Sequence, residues 1–276
     1  MVETAGDLAH DARMPTSSRS SDSRPGAPKR GPGRPATRGN GTLSKEGVLH
    51  RALELCKHEP LQAISIVRVS TELNVTPALI HYYVGGRDRL TSGVMNLFYQ
   101  EIVGRLPSAV EDWRADVSAV FNTLYASYLD YGGIIAYLMS HNRFRLFQLV
   151  EGKEQDYGAL FFERVVASVR LAGMSAERTA MFTHLLLQHV LSSAYQQTSH
   201  QLPGDHHDFL VSRLEKASAR SSPNTHFILR SFATLRGDDA YREGLTLILD
   251  AIERYRASTT ARKRATRSGT VTTTRD

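Results

Sequence analysis

The sequence predicts an all-α protein: a small three-helix N-terminal unit followed by a longer helical domain. Three observations predict it. Between about residues 44 and 256 apolar side chains recur at the spacing of helix faces, with almost no strand-like alternation. Breakers punctuate that pattern at Pro60, Gly85-Gly86, Pro107, Gly132-Gly133, Gly173, Pro203-Gly204, Pro223 and Gly237. The ends lack periodicity altogether. Residues 1–41 are rich in Ser, Arg, Pro and Gly, and 257–276 are similarly polar, so both read as disordered basic tails. Helices are expected over 44–58, 65–73, 76–83, 87–105, 110–130, 133–148, 154–172, 176–199, 207–220, 224–234 and 239–256.

The first of these, "VLHRALELCKH", carries Ala52, Leu53 and Leu55, with Cys56 on its apolar face. One cysteine in 276 residues excludes an intramolecular disulfide. It reads as a small buried hydrophobe rather than a redox sensor. The next two helices lie in "SIVRVSTELNVTPALIHYYVGG", residues 65–86. Ser65 is a cap for the first. Val69 and Leu73 fall on one face, and Ser70 is small enough for another helix to approach closely. Asn74 tolerates the left-handed conformation that ends a helix, and Val75 pins the turn. Thr76 caps the following helix and Pro77 occupies its first position, where a missing N–H costs nothing. Ile80 and Tyr83 or Val84 turn inward, while His81 and Tyr82 face out. Gly85-Gly86 stops the helix after about two turns, and Arg87 opens the next.

Two short helices joined by so tight a turn describe a helix-turn-helix or a generic αα-hairpin. In the first reading the second helix enters the major groove of duplex DNA, and its length is what the groove accepts. Arg87 then sits where a guanidinium and free backbone N–H groups hold a phosphate.

Residues 42–102 resemble the N-terminal domain of the tetracycline-repressor (TetR) family of transcriptional regulators. The resemblance rests on the Ala52-Leu53-x-Leu55 core, the helix start at Ser65, the Asn74-Val75-Thr76 turn, the "PALIHYYV" helix and the Arg87-Asp88 pair before Leu90. It extends weakly to "AYREGLTLILDAIERY" near the C-terminus, similar to a dimerisation helix of the family. It implies an all-α fold with a helix-turn-helix DNA-binding domain (42–102) joined to an effector-binding and dimerisation domain (103–256). It implies DNA contacts from Thr76, Pro77, Leu79, His81 and Tyr82, a phosphate contact from Arg87, and Arg68 as a further candidate. Asn74 stands where the family has Gly, His81 where Tyr is common, and Leu79 where Thr or Ser is common. Gly85-Gly86 replaces a Pro-polar pair, leaving the following helix without a side-chain cap.

Charge agrees with a polyanionic partner. Residues 1–43 net +3 and 257–276 net +4, whereas the stretch between is −1. The "PKRGPGRPATR" segment, residues 28–38, is either a minor-groove arm around Gly33-Arg34-Pro35 or a source of non-specific phosphate attraction. The "ARKRATR" segment has the electrostatic reading alone.

In the second domain aromatic residues recur at helical spacing. Tyr125, Phe144, Phe147, Met181, His184 and Gln188 are candidates for an effector pocket, core packing being the alternative. His206-His207-Asp208 resembles a metal set only superficially, because adjacent histidines point apart; Asp205 or Asp208 as a helix cap is the simpler reading. No metal and no cofactor is expected. Leu185, Leu186, Val190, Leu245, Ile248, Leu249 and Ile252, on the helices at 176–199 and 239–256, offer an interface for a homodimer, which would set two reading heads on a palindromic operator.

No G-x-S-x-G, Gly-rich phosphate loop or H-E-x-x-H occurs, so an enzyme is not expected. The polar N-terminus carries no apolar leader, and stretches such as "HLLLQHVLSSA" are too short and polar to span a bilayer, so a cytoplasmic protein without membrane partners is expected. The sequence reads as a repressor released from its operator by a small molecule, the alternative being an effector-independent architectural DNA-binding protein.

Overall fold

Local capping chemistry sets most of the helix starts. The computed structural model of the protein describes residues 43–140, 146, 148, 150, 152, 154–216 and 220–269. Ser44, Ser65 and Thr76 accept from backbone N–H groups at the starts of α1 (Lys45–Leu55), α2 (Ile66–Leu73) and α3 (Pro77–Val84). Asp112, Asp156 and Ser175 do the same for α5 (Trp113–Asp130), α7 (Tyr157–Arg170) and α8 (Ala176–Thr198). Each bond satisfies a donor that the helix leaves orphaned. Helix α4 (Arg87–Arg105) starts at Gly86 with no side-chain cap. The remaining helices are α6 (Gly132–Ser140), α9 (His207–Glu215), α10 (Pro223–Ala233) and α11 (Gly237–Gly269), with 3-10 turns at Leu61–Ala63 and Pro203–His206. No strand occurs among the described residues. The protein is all-α, as its periodicity predicts.

Helices α1, α2 and α3 close on one another around Val48, Ala52, Leu53, Val69, Ile80 and Leu90, all at most 1 % exposed. Cys56 joins that core. Its thiol donates to the Ala52 carbonyl at 3.3 Å, and burial, then the Glu59 charge, pushes it up to about 12. It is inert packing at neutral pH.

Helix α4 belongs to two layers. It packs on α1 and, further along, on α7. Phe98 stacks on Tyr128 and meets Tyr131 edge-on, while Tyr99 stacks on Phe161. Residues from Leu43 onward consequently form one compact unit, with the core continuous across residue 102. A second joint lies at Gly133, whose N–H donates to the Cys56 carbonyl at 2.9 Å. A Cβ there would overlap the Glu59 carbonyl and come within 2.6 Å of the Cys56 oxygen. Only glycine lets α6 approach this closely.

Helix α8 is the axis of the second layer, touching α5, α6, α7 and α11. Leu186, Val190, Leu245, Leu249 and Ile252, expected at a dimer interface, are instead at most 5 % exposed within one chain, where they fill the α8–α11 seam. Between α5 and α7 lies a buried ion pair. Both Asp116 carboxylate oxygens accept from Arg164 at 2.8 Å, and Oδ1 also accepts from the Val110 N–H at 3.0 Å.

Two expectations about helix ends need correcting. Within the stretch expected to be helical over 133–148, α6 spans Gly132–Ser140, and residues 146 and 148 are not helical. The tail expected to be disordered from 257 is helical as far as Gly269, where α11 continues through the basic stretch "ASTTARKRATRSG". Expectations about residues 1–41 lie outside the described residues.

Candidate nucleic-acid interface

The α2–α3 pair is built by its turn. Asn74 adopts φ 53°, ψ 46°, the left-handed conformation, and its N–H is taken by carbonyls of the last turn of α2. Val75 returns a hydrogen bond to the Ser70 carbonyl at 3.0 Å. Ser70, 2 % exposed, provides the close crossing. Helix α3 then starts at Thr76, whose hydroxyl accepts from the Leu79 N–H at 3.4 Å, with Pro77 at its first position. It stops where Gly85 takes φ 74°.

This geometry divides α3 into two faces. Ile80 and Val84, 0 % and 4 % exposed, anchor it to the core. Thr76, Pro77, Leu79, His81 and Tyr82 are all exposed, Tyr82 at 80 %. The Tyr82 ring stands edge-on to Tyr83 at 5.4 Å. A two-turn helix presenting a hydroxyl, an imidazole, a phenol and an isobutyl group, with little of that surface committed to packing, has the dimensions and mixed chemistry that base edges and sugar-phosphate demand.

The two arginines behave differently. Arg68 is engaged. Its guanidinium donates to both Glu59 carboxylate oxygens and, at 2.9 Å, to Glu72, which also pairs with Arg51. These hydrogen bonds, to Glu59 first and then to Glu72, raise its pKa further. Arg68 therefore braces α2 against the loop before it, and a phosphate contact from it would require breaking that network. Arg87 is exposed, and one of its nitrogens donates to the Gln62 carbonyl at 2.5 Å. That bond holds the guanidinium beside the uncapped start of α4, leaving its other N–H groups for an anion.

The proposed effector residues do not form one site. Tyr125 is 7 % exposed and stacks on Tyr241 at 3.8 Å, its hydroxyl hydrogen-bonding to Asp238. It is a core stack between α5 and α11. Met181 and Gln188 project from the exposed face of α8. Phe144 and Phe147 lie outside the described residues. His184 does line a cavity, of about 660 Å³, between α7 and α8, along with Phe162, Arg170 and Thr183. Sequence reading missed Arg170, Thr179 and Thr183, which line that wall, because they sit on helices whose facing is decided by long-range packing. A second, more polar cleft of about 540 Å³ lies among α1, α3, α4 and Val150, Glu154, Gln155 and Tyr157. There Asn96 clamps the start of α7, accepting from the Tyr157 N–H and donating to the Gln155 carbonyl, both at 2.9 Å. Asp205 accepts from the Leu202 N–H at 3.1 Å and so closes the 3-10 turn before α9, which itself starts without a side-chain cap.

A family model described as "Tetracyclin repressor-like, C-terminal domain" matches residues 106–256. No curated protein sequence matches the chain. Among solved structures, apo ActR from Streptomyces coelicolor is similar at 23 % identity, covering 79 % of this chain and 98 % of ActR with a TM-score of 0.65. ActR from the same organism in complex with actinorhodin is similar at 24 % identity, covering 76 % and 95 % with a TM-score of 0.62. A further TetR transcriptional regulator of S. coelicolor, at 17 % identity, covers 76 % and 98 % with a TM-score of 0.59. These likenesses show the shared two-layer helical fold. No described helix is long and apolar enough to cross a membrane.

Proposed function

The chain belongs to the tetracycline-repressor family of transcriptional regulators, and from that premise we propose that it is a dimeric repressor released from a palindromic operator by a small molecule. The observation that carries the DNA part is the α3 face. Leu79 and Tyr82 are 37 % and 80 % exposed on a helix whose other side is locked into the core by Ile80 and Val84. Thr76, Pro77 and His81 complete the reading surface, and Arg87 with the start of α4 holds the adjoining phosphate. The partner is double-stranded DNA, and no cofactor enters.

A homodimer presents two such heads. Its interface is the outward side of α8 and α11, where Met181, Leu185 and Leu247 are 50 %, 42 % and 55 % exposed. Ligand response is supported by the actinorhodin complex of the structurally similar ActR and by the α7–α8 cavity. The route from cavity to head is short. Helix α7 forms one cavity wall, and its first turn is hydrogen-bonded to Asn96 on α4, the helix that also packs against α1 and α3. A ligand that shifts α7 favours a conformer whose heads no longer match the operator spacing.

Selection of bound duplexes from a random pool tests the reading. The expected product is an inverted repeat with half-sites about one helical turn, roughly 34–36 Å, apart or a multiple of it. Recovery of no sequence preference, or of a single unpaired half-site, refutes it.

A further inference from the structure

Resting on the reading of a ligand-responsive regulator, we propose that the effector site is the α7–α8 groove and that its ligand is an amphipathic anion: an elongated apolar or aromatic body bearing one acidic group. The groove, about 660 Å³, has the size of a small-molecule site. Phe162, Val166 and Arg170 recur every four residues along α7, so they stand on one face. Opposite them α8 supplies Thr179, Thr183 and His184.

The polar groups determine the ligand class. Arg170 is the permanently charged residue of the lining, and no carboxylate shares it. Arg170 is exposed and makes no ion pair among the described residues. A guanidinium beside apolar walls is less screened than one on open surface and selects a planar anion by paired hydrogen bonds. The threonines add a second constraint. Thr123, Thr198, Thr234 and Thr246 each donate to the carbonyl four residues back at 2.9 Å, the usual resolution for a helical threonine. Thr179 and Thr183, 7 % and 4 % exposed, make no such bond, and their hydroxyl oxygens have no partner. Two consecutive turns of α8 thus carry unsatisfied hydroxyls at this wall, a cost that a ligand oxygen relieves.

The remaining lining is apolar, which disfavours a polyanion, while a neutral hydrocarbon leaves Arg170 and both hydroxyls unused. A partner helix is a poorer occupant. Met181 and Leu185, the exposed apolar residues of α8, lie on a different stripe of the helix from Ala180, His184 and Leu187, which line the groove.

Full-length protein is titrated with anilinonaphthalene sulfonate, whose fluorescence rises on burial, and the dye is then displaced with dodecanoate or dodecanol. Dodecanoate is expected to displace it at a concentration about tenfold or more below that of dodecanol, the scale of a charge-assisted hydrogen bond. Arg170→Gln, a change at an exposed position, should erase the difference. Ala180→Trp, also from an exposed position, should fill the groove and abolish dye binding with helicity and operator affinity unchanged. Leu160→Gln, at an exposed position of α7 outside the groove, should leave dye binding and its acid selectivity unchanged. Equal displacement by acid and alcohol, dye binding that survives Ala180→Trp, or dissociation of a dimer by Ala180→Trp in light scattering overturns the proposal. Operator release is scored separately. An effector that still acts on Ala180→Trp sinks the groove but not the regulator, whereas acid-selective binding without operator response from any ligand sinks the regulator but not the groove.

Discussion

Truncating Tyr82 to alanine should abolish tight operator binding while leaving the fold intact. The side chain is 80 % exposed, and its ring neighbour is Tyr83, edge-on at 5.4 Å. Losing that contact costs about 0.5–1.5 kcal/mol at most, too little to unfold the domain. Its loss at the duplex is larger. An aromatic side chain offers roughly 150–250 Å²; covering about 80 Å² of the Tyr82 ring at about 25 cal/mol per Å² gives about 2 kcal/mol. A two-fold operator takes that loss at both heads, about 4 kcal/mol, or several hundredfold in Kd. Side-chain ordering on binding trims the figure, so about thirtyfold is a conservative lower expectation. Tyr82→Phe keeps the area and should stay within about fivefold, since a single exposed hydroxyl contributes about 0.5 kcal/mol at each of the two heads. The assay is fluorescence anisotropy on the selected operator at fixed salt, with thermal melts confirming the fold. Operator affinity within about threefold of the parent in Tyr82→Ala, with an unchanged melt, refutes the placement of the reading face.

Other parts of the molecule have equally definite expectations. Arg87→Gln should weaken specific and random duplexes alike and lower the salt slope by about one per head; an unchanged slope would leave Arg87 as a brace for the Gln62 loop. Deleting residues 1–40 should weaken binding and flatten its salt dependence while preserving sequence preference, as competition titrations over a salt series will show. Asp116 provides an acid limb to stability. Burial alone would raise its carboxyl pKa, but hydrogen bonds from Arg164 and the Val110 N–H hold it at about 2, below the ordinary 3.8. A depressed folded-state pKa means a stabilising contribution complete above about pH 4 and lost as pH falls toward 2, about 2 kcal/mol in all. Urea melts between those pH values should show that loss, and Asp116→Asn should remove it while costing about 3 kcal/mol at neutral pH by stranding Arg164. Gly133→Ala should cost about 2–3 kcal/mol in a thermal melt, because the backbone carbonyls of Cys56 and Glu59 have nowhere to retreat; a melting point unchanged within a degree would show that the α6 joint is looser than its geometry.

How far the residues themselves reveal the fold depends on the range of the forces involved. Caps, turns and helix faces are local. Ser65, Thr76, Pro77, Asn74 and Gly85 act within a few residues of themselves, so the helix-turn-helix is legible from its string, including the left-handed Asn74 and the uncapped α4. The outward direction of Tyr82 follows from the inward one of Ile80 by helix geometry alone. Arg68 shows the limit. Its place on α2 suits a phosphate, but Glu59 approaches it across a loop, and an ion pair over that path leaves no periodic trace. The pocket residues show it more strongly, since Tyr125 and His184 read alike as polar members of apolar faces.

By itself, then, the chain of residues determined the helical class, nearly every helix start and the two-faced character of α3, because hydrogen bonds over three or four residues and a 3.6-residue repeat decide those. Tertiary packing alone decided that Tyr125 stacks in the core while Arg170, Thr179 and Thr183 border a cavity. It also tied Arg68 to Glu59 and turned the apolar stripes of α8 and α11 toward each other within one chain. The physical reason is that burial is a property of two surfaces meeting, and a helix carries no local record of which of its apolar stripes another helix will cover.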